Sequence, residues 1–289
     1  MKLLIIGASG VLGARLYNDA IKKRWNVLGT YCSHEYEGLF HLDITNKKEI
    51  DKIFKFFEPE AVILAGGITD VDLCEIKPRL AEEVNIKGTL NVIKRVKTSG
   101  ARFVFISTDY VFDGRSGPYS ESDNPSPINV YGRTKLEAEL AIKDILKDGL
   151  IVRTSQIYGF DPTGKNFTVK IIHNMKRHKN VLAAEDFYAT PTYTGLLSEA
   201  IMALLERNIY GIYNVAGTDF VDRYSYVKII TEVFNLDISL IKKVTLDDLH
   251  LKANRPYKAG LKVERIKKTI DVRLLNCMEG LMMLKKEYL

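Results

Sequence analysis

A doubly wound α/β fold is what this sequence predicts, and three observations predict it. Short β-branched runs alternate with longer helical patterns over roughly the first 150 residues, which specifies a parallel sheet with helices on both faces. The runs are almost wholly apolar, as strands covered on both sides are. A glycine-spaced turn, GASGVLG (7–13), joins the first run to the first helical pattern. Together these point to a Rossmann-type doubly wound parallel sheet with a smaller, partly interleaved C-terminal substrate domain. The expected division gives residues 1–160 plus about 189–212 to a dinucleotide-binding domain, and about 161–188 and 213–289 to the substrate domain.

KLLIIG (2–7) is the first expected strand and Ala14 to Lys23 the first helix. NVLGTY (26–31) and GLFHLDI (38–44) follow as strands. KKEIDKIFKFF (47–57) has apolar residues at helical spacing, and AVILAGG (61–67) is again strand. Pro78 to Lys97 reads as one long helix with Leu80, Ala81, Val84, Leu90, Ile93 and Val96 toward one side. RFVFIST (102–108) is a strand, followed by a long loop and a helix from about Pro127 to Leu146, then the strand GLIVRTS (149–155). After Ser155 the pattern turns irregular, with helices at 166–177 and 194–207, a strand at 211–217, and shorter lysine-rich pieces.

The bulk composition narrows the function. In 289 residues, 46% hydrophobic and 27% charged is that of a globular chain able to bury a core without disulfides. Three cysteines, Cys32, Cys74 and Cys277, share no metal-ligand spacing, which argues against a zinc site and for a reducing compartment. The net charge of +6 is scattered, with one denser stretch at 261–268, and scattered lysine is a solvated surface rather than a nucleic-acid footprint. The apolar start MKLLII stops at Gly7, too soon for a signal peptide, and no run approaches the roughly 20 residues a membrane span takes. The expectation is a cytoplasmic protein with no nucleic-acid and no membrane partner.

The glycine turn gives the first functional assignment. Gly7 permits a tight turn, Gly10 lets backbone approach a pyrophosphate, and Gly13 lets helix and strand pack closely. The helix N-terminus then offers N–H groups and positive dipole to phosphates, with Ser9, Val11 and Leu12 completing the cradle. An acid at the end of the second strand would hold a ribose hydroxyl and favour NAD. None precedes Glu35; instead Thr30, Ser33 and nearby Arg15 can accommodate a 2′-phosphate. NADP(H) is therefore the preferred cofactor, with NAD(H) admissible.

The second assignment comes from NVYGRTKLEAE (129–139), where Tyr131 stands four residues before Lys135. The spacing alone means little, because Tyr224 and Lys228 share it. The first pair, however, sits in the opening turns of a helix that Ser126–Pro127 reads as starting, beside a strand ending Ile-Ser-Thr (106–108). The carboxyl edge of such a sheet is where ligands bind. A free tyrosine has a pKa near ~10, and a neighbouring ammonium lowers it, so Tyr131 is expected to serve as proton donor. Thr108 would hydrogen-bond the reacting oxygen, and Lys135 would also hold nicotinamide ribose hydroxyls. Tyr224 is expected to be structural.

GASGVLG, STDYVFDG (107–114) and NVYGRTK together resemble the extended short-chain dehydrogenase/reductase family. STDYVFDG, GPYSESDNPSPINVYG (117–132), RTSQIYG (153–159), ATPTYTG (189–195) and RPYKAGL (255–261) look most like its dTDP-4-dehydrorhamnose reductase branch, over nearly the whole chain. The resemblance implies reduction of the 4-keto group of a nucleotide-linked deoxysugar, as in dTDP-rhamnose biosynthesis, with Thr108, Tyr131 and Lys135 catalytic. It implies cofactor contacts at Asp43, Ile44, Ala65, Gly66 and Gly67. It implies sugar-nucleotide contacts at Asp109, Tyr110, Gln156, Asn166 and Arg255, and leaves room for a homodimer. The chain departs from the branch at Gln156, where tryptophan is common, and at DFYATPT (186–192) and RPYKA (255–259).

Two other readings stand beside this one. The regulatory beta subunit of methionine adenosyltransferase resembles the same branch and would bind NADP without turnover; a sugar-nucleotide epimerase or dehydratase belongs to the same superfamily. Several residues carry plain readings: Asn85 as a buried hydrogen-bonding residue or a cofactor neighbour, Arg255 as a diphosphate ligand or a helix cap, His173 and His178 as solvated, and Asp113 as a turn former with Gly114.

Overall fold

Lys2–Ile6 forms β1, whose side chains divide between two cores. Leu3 and Ile5 enter one, Leu4 and Ile6 the other, and all four are buried. This computed structural model describes residues 1–33, 35–161 and 166–288. His34, closing the segment expected to hold the second strand, and residues 162–165 of the expected substrate domain lie outside the described residues.

Along the chain come α1 (Val11–Lys22), β2 (Asn26–Tyr31), β3 (Phe40–His41), α2 (Lys47–Phe57), β4 (Ala61–Leu64), α3 (Val71–Ile76) and α4 (Pro78–Ala81). They are followed by α5 (Thr89–Ser99), β5 (Arg102–Thr108), α6 (Val130–Ile145), β6 (Gly149–Thr154), β7 (Ile157–Tyr158), α7 (Phe167–Lys176), β8 (Val181–Ala184), β9 (Tyr188–Ala189) and β10 (Thr192–Tyr193). The chain closes with α8 (Thr194–Glu206), β11 (Gly211–Asn214), β12 (Val221–Asp222), α9 (Arg223–Phe234), β13 (Ile241–Val244), α10 (Glu264–Thr269) and α11 (Cys277–Glu287).

Seven strands form one parallel sheet in the order β11–β6–β5–β4–β1–β2–β3. The order reverses between β1 and β4, and the register Ile6 to Leu64 brings the ends of these two strands side by side. That reversal is the switch point at which a doubly wound sheet opens a ligand crevice. Leu16 and Ala20 of α1 with Leu197, Ile201 and Leu204 of α8 cover one face. Ile50 and Phe54 of α2, Val92 and Val96 of α5 and Ile142 of α6 cover the other. A third core joins Tyr158, Ile171, Tyr193, Tyr226, Ile230 and Leu281, fastening α7, α9 and α11 together. Among the described residues no helix is long and apolar enough to cross a membrane.

Several boundaries differ from the sequence expectation. The helix expected from Pro127 begins at Val130, and its N-cap is Asn129, which accepts from Gly132 N at 2.8 Å. Ser126 N–H instead bonds Val111 O at 2.8 Å, and buried Asn129 donates to Asn254 O at 2.9 Å, so the chain stays non-helical until Asn129. The long helix expected over 78–97 divides into α4, a π-helical stretch Glu82–Gly88, and α5. Only Phe40–His41 of the expected third strand pairs, and α9 and α11 are regular helices where short pieces were expected.

α6 is fastened to the sheet by a buried ion pair. Arg153 Nη2 of β6 lies 2.6 Å from Glu139 Oε2, with the two side chains 2% and 1% exposed. Ser107 Oγ of β5 donates to the same carboxylate at 2.5 Å. Removing one partner strands a charge in the interior, so Arg153→Met is expected to lower unfolding free energy by about 3–5 kcal/mol. The double change Arg153→Met/Glu139→Leu is expected to recover most of that loss in urea titrations. A single-variant cost near zero would contradict this reading of the pair.

Candidate active site

The turn after β1 is shaped by close backbone approach. Gly7 has φ +89°, and a Cβ there would lie 2.6 Å from Gly66 Cα; one on Gly13 would lie 2.1 Å from Gly7 O. Only glycine fits either place. Gly10 is the N-cap of α1 and supplies no side-chain acceptor, and no acid stands in the first turn. A Cβ on Gly10 would meet only Gly7 O, at 3.4 Å, so the space beyond it is open. Ser9 and Gly10 are exposed, Val11 is half-buried, and Leu12 packs inward. An open helix mouth with uncapped N–H groups is the donor set that a pyrophosphate needs.

The neighbouring turn is braced from behind. Ala65 N bonds Ile6 O at 2.9 Å, Gly66 touches Gly7, and Gly67 has φ +146°. Buried Asn85, within the π-helical stretch, accepts from Ile68 N at 2.8 Å and donates to Ile68 O at 3.0 Å and Thr134 Oγ1 at 3.2 Å. Its carboxamide therefore holds the turn and ties it to α6. Thr30 is buried, and its hydroxyl accepts from Gly7 N at 3.4 Å, steadying the glycine turn. Asp43 Oδ1 accepts from Thr45 N and Oγ1, both at 2.8 Å, while buried Ile44 lies against Gly88. Arg15, expected near a 2′-phosphate, instead bonds Asp19 at 2.6 Å, Tyr193 at 2.9 Å and Glu287 at 2.8 Å, joining α1 to α11.

At the end of β5 and the start of α6, Thr108, Tyr131 and Lys135 come together, all under 10% exposed. The Thr108 hydroxyl lies beside the Tyr131 phenol, accepts from Tyr110 N at 3.2 Å and donates to Asp109 Oδ1 at 3.1 Å. Lys135 Nζ donates to Ile106 O at 2.7 Å and sits 3.9 Å from the Phe105 ring centroid. Burial pushes the lysine down to about 7, opposed by the charge of Glu139 one turn further along α6. The expectation that Lys135 lowers the Tyr131 pKa is not what the geometry gives. Burial of the phenol dominates and raises its pKa, with the Thr108 hydroxyl working against it. A phenol that keeps its proton at neutrality is nonetheless in the right form to donate one.

The expected sugar contacts fall into two groups. Tyr110 is half-buried, with its ring 5.9 Å edge-on to Tyr131, and Gln156 has φ +38° with its Nε2 buried and without an acceptor among the described residues. Strain of this kind concentrates at functional sites. Asp109, Asn166 and Arg255 are held by partners within the chain. Asp109 Oδ2 accepts from Ser155 Oγ at 2.5 Å and Gly260 N at 3.1 Å, and burial raises its pKa. Asn166 caps α7 through Thr168 N at 3.1 Å and donates to Ile157 O at 2.7 Å. Arg255 pairs with Asp72 at 3.0 Å and bonds Ala253 O at 2.9 Å. Tyr224, read as structural, lies on α9 with the ammonium groups of Lys228 and Lys243 5.8 and 5.5 Å from its ring centroid. Sequence reasoning missed Ser107, Glu139 and Arg153 behind the site; the four-residue step from Tyr131 through Lys135 to Glu139 was the available signal. Among the described residues, no three His, Cys, Asp or Glu side chains cluster to hold a metal.

Residues 1–289 match the family described as RmlD substrate binding domain. The chain is 30% identical over 286 residues to dTDP-4-dehydrorhamnose reductase of Aggregatibacter actinomycetemcomitans, covering 94% of each. It is 28% identical over 274 residues to methionine adenosyltransferase 2 subunit beta of Xenopus tropicalis, covering 92% of this chain and 82% of that one. Its fold superposes on dTDP-4-dehydrorhamnose reductase of Bacillus anthracis, crystallised with NADP, with a TM-score of 0.91 and 29% identity, over 99% of this chain and 100% of that one.

The buried lysine has a measurable consequence. Its folded pKa, about 7, lies below the 10.5 of an unperturbed lysine, so between these values the unfolded chain binds more protons. Stability conferred at this position therefore rises with pH across that window, and below it the charged ammonium exacts its full burial cost. Lys135→Met is expected to melt higher than wild type at about pH 6, with the gap narrowing by about pH 9.5. Thermal melts of cofactor-free protein check this, and a gap independent of pH would contradict it.

Proposed function

From the premise that this chain belongs to the RmlD substrate binding domain family, within the extended short-chain dehydrogenases/reductases, we propose that it reduces the 4-keto group of a nucleotide-linked deoxysugar. The cofactor is NADP(H), as bound by the Bacillus anthracis relative. The open glycine turn and the uncapped N-terminus of α1 fit a dinucleotide phosphate, and Gly7, Gly10, Gly13 and Ala65 to Gly67 would line it. NADPH, when bound, supplies the hydride for the carbonyl carbon.

The chain's own residues supply the rest. Tyr131 donates its phenolic proton to the carbonyl oxygen, completing the alcohol, and recovers a proton from solvent. Thr108, beside that phenol, orients the oxygen for transfer. Lys135, held at Ile106 O one helical turn beyond Tyr131, would hold the ribose hydroxyls. Tyr110 and Gln156 form the sugar-facing wall. The core joining α7, α9 and α11 is read as the substrate-side unit, with the seven-stranded sheet on the cofactor side. A homodimer is part of the same reading.

The observation that carries the reading is Thr108, Tyr131 and Lys135 gathered at the carboxyl end of β5, adjoining the braced glycine turn. A regulatory role like that of the methionine adenosyltransferase beta subunits does not require this set, and so accounts for it less well. NADPH consumption with a panel of nucleotide 4-keto sugars tests the proposal. Tyr131→Phe is expected to lower kcat by about 10²–10⁴-fold while leaving NADP affinity and thermal stability near wild type. Tight NADP binding by the wild type with no turnover on any 4-keto sugar would overturn it.

A further inference from the structure

Arg223 opens α9 and turns its guanidinium into the space between the third core and the end of β5. The head group lies 4.1 Å from the Phe167 ring centroid and 4.8 Å from that of Phe187. Its Nε and Nη1 are shut off from solvent, yet neither has a hydrogen-bond partner among the described residues. The adjacent carboxylate does not serve it, because Asp222 caps α9 by accepting from Ser225 N at 2.8 Å and Ser225 Oγ at 2.7 Å.

The charges around the guanidinium do not balance it. Its coupled neighbours are Tyr110, Tyr226, Asp109 and Arg255. The phenols are neutral at ordinary pH, and burial moves Asp109 toward its neutral form. Arg255 is itself paired with Asp72. Ser155, which bonds Asp109, is followed by Gln156, whose Nε2 is likewise buried without an acceptor among the described residues. The ring contacts of Arg223 steady its cation, but ring faces leave in-plane N–H groups unanswered. Structural Arg153 leaves one buried nitrogen, Nη1, without a partner but meets Glu139 with Nε and Nη2, whereas Arg223 leaves two nitrogens unanswered and has no carboxylate bound to it among the described residues.

We propose that Arg223, against Phe187 and hence beside Tyr110, is an anion-binding subsite of the substrate pocket that takes an oxyanion, either a nucleotide phosphate or a carboxylate on the sugar. This rests on the sugar-nucleotide reading and deepens it: the substrate's charge is met from α9, by a residue separate from Arg255.

The test is titration of the NADP-loaded protein with inorganic pyrophosphate, dTDP and free glucuronate, using wild type, Arg223→Met and Arg223→Lys. Arg223→Met is expected to weaken anion binding about ten- to a hundredfold, the range for charge-assisted hydrogen bonds, and Arg223→Lys less. NADP affinity is expected to hold in both variants. A loss for pyrophosphate and dTDP assigns the subsite to phosphate, and a loss for glucuronate alone assigns it to a sugar carboxylate. The proposal falls if no probe binds the wild type, or if all three variants bind the probes equally. Arg223-dependent anion binding without turnover on any 4-keto sugar would sink the reductase reading and leave the subsite standing.

Discussion

The active region depends on burying one ammonium group. Lys135 sits with 7% exposure against the Ile106 carbonyl and the face of Phe105, with Glu139 one helical turn behind it. Desolvation disfavours its charge, and the carboxylate restores part of what is lost. Glu139 is itself held by Arg153 of β6 and Ser107 of β5. The four-residue spacing of Tyr131, Lys135 and Glu139 thus runs a line of polar groups from the pocket into the sheet. Buried ion pairs contribute little net stability compared with apolar packing of the same shape, so this one is better understood as fixing where α6 lies.

A similar economy governs the cofactor side. The glycine turn needs close approach, and the residues behind it hold it in place: Thr30 on Gly7, Asn85 on Ile68, and Gly66 packed against Gly7. Asn85 also reaches Thr134 of α6, so the turn after β4 and the helix bearing Tyr131 share one brace. The π-helical insertion that presents Asn85 is the kind of irregularity that collects at functional sites. Substrate-side residues are arranged differently. Asp109 and Asn166 answer groups within the chain, while among the described residues Gln156 Nε2 and Arg223 Nε and Nη1, like Arg153 Nη1 behind the site, keep donors without acceptors.

Much of the fold was legible because buried parallel strands are short apolar runs. NVLGTY, KKEIDKIFKFF and RFVFIST begin and end where the pattern says. The start of α6 was misread because Ser126–Pro127 imitates a cap, whereas the true cap is chosen by a distant carbonyl at Asn254. The ionisation of Tyr131 was misjudged for a related reason: sequence shows its neighbouring lysine but not the depth of burial that outweighs it. Arg255 sat in a recognisable motif, yet the structure gives it Asp72 as a partner. Arg223 carried no local signal, because only folding brings Phe167 and Phe187 around it and withholds an acceptor.

The most direct measurement is an NMR titration of the Lys135 side chain in cofactor-free protein with isotopically labelled lysine, the signal assigned by its absence in a Lys135 variant. A midpoint close to the value of about 7 set by burial is expected. A midpoint near the ~10.4 of a free lysine would contradict it, because burial would then not govern the charge of this group.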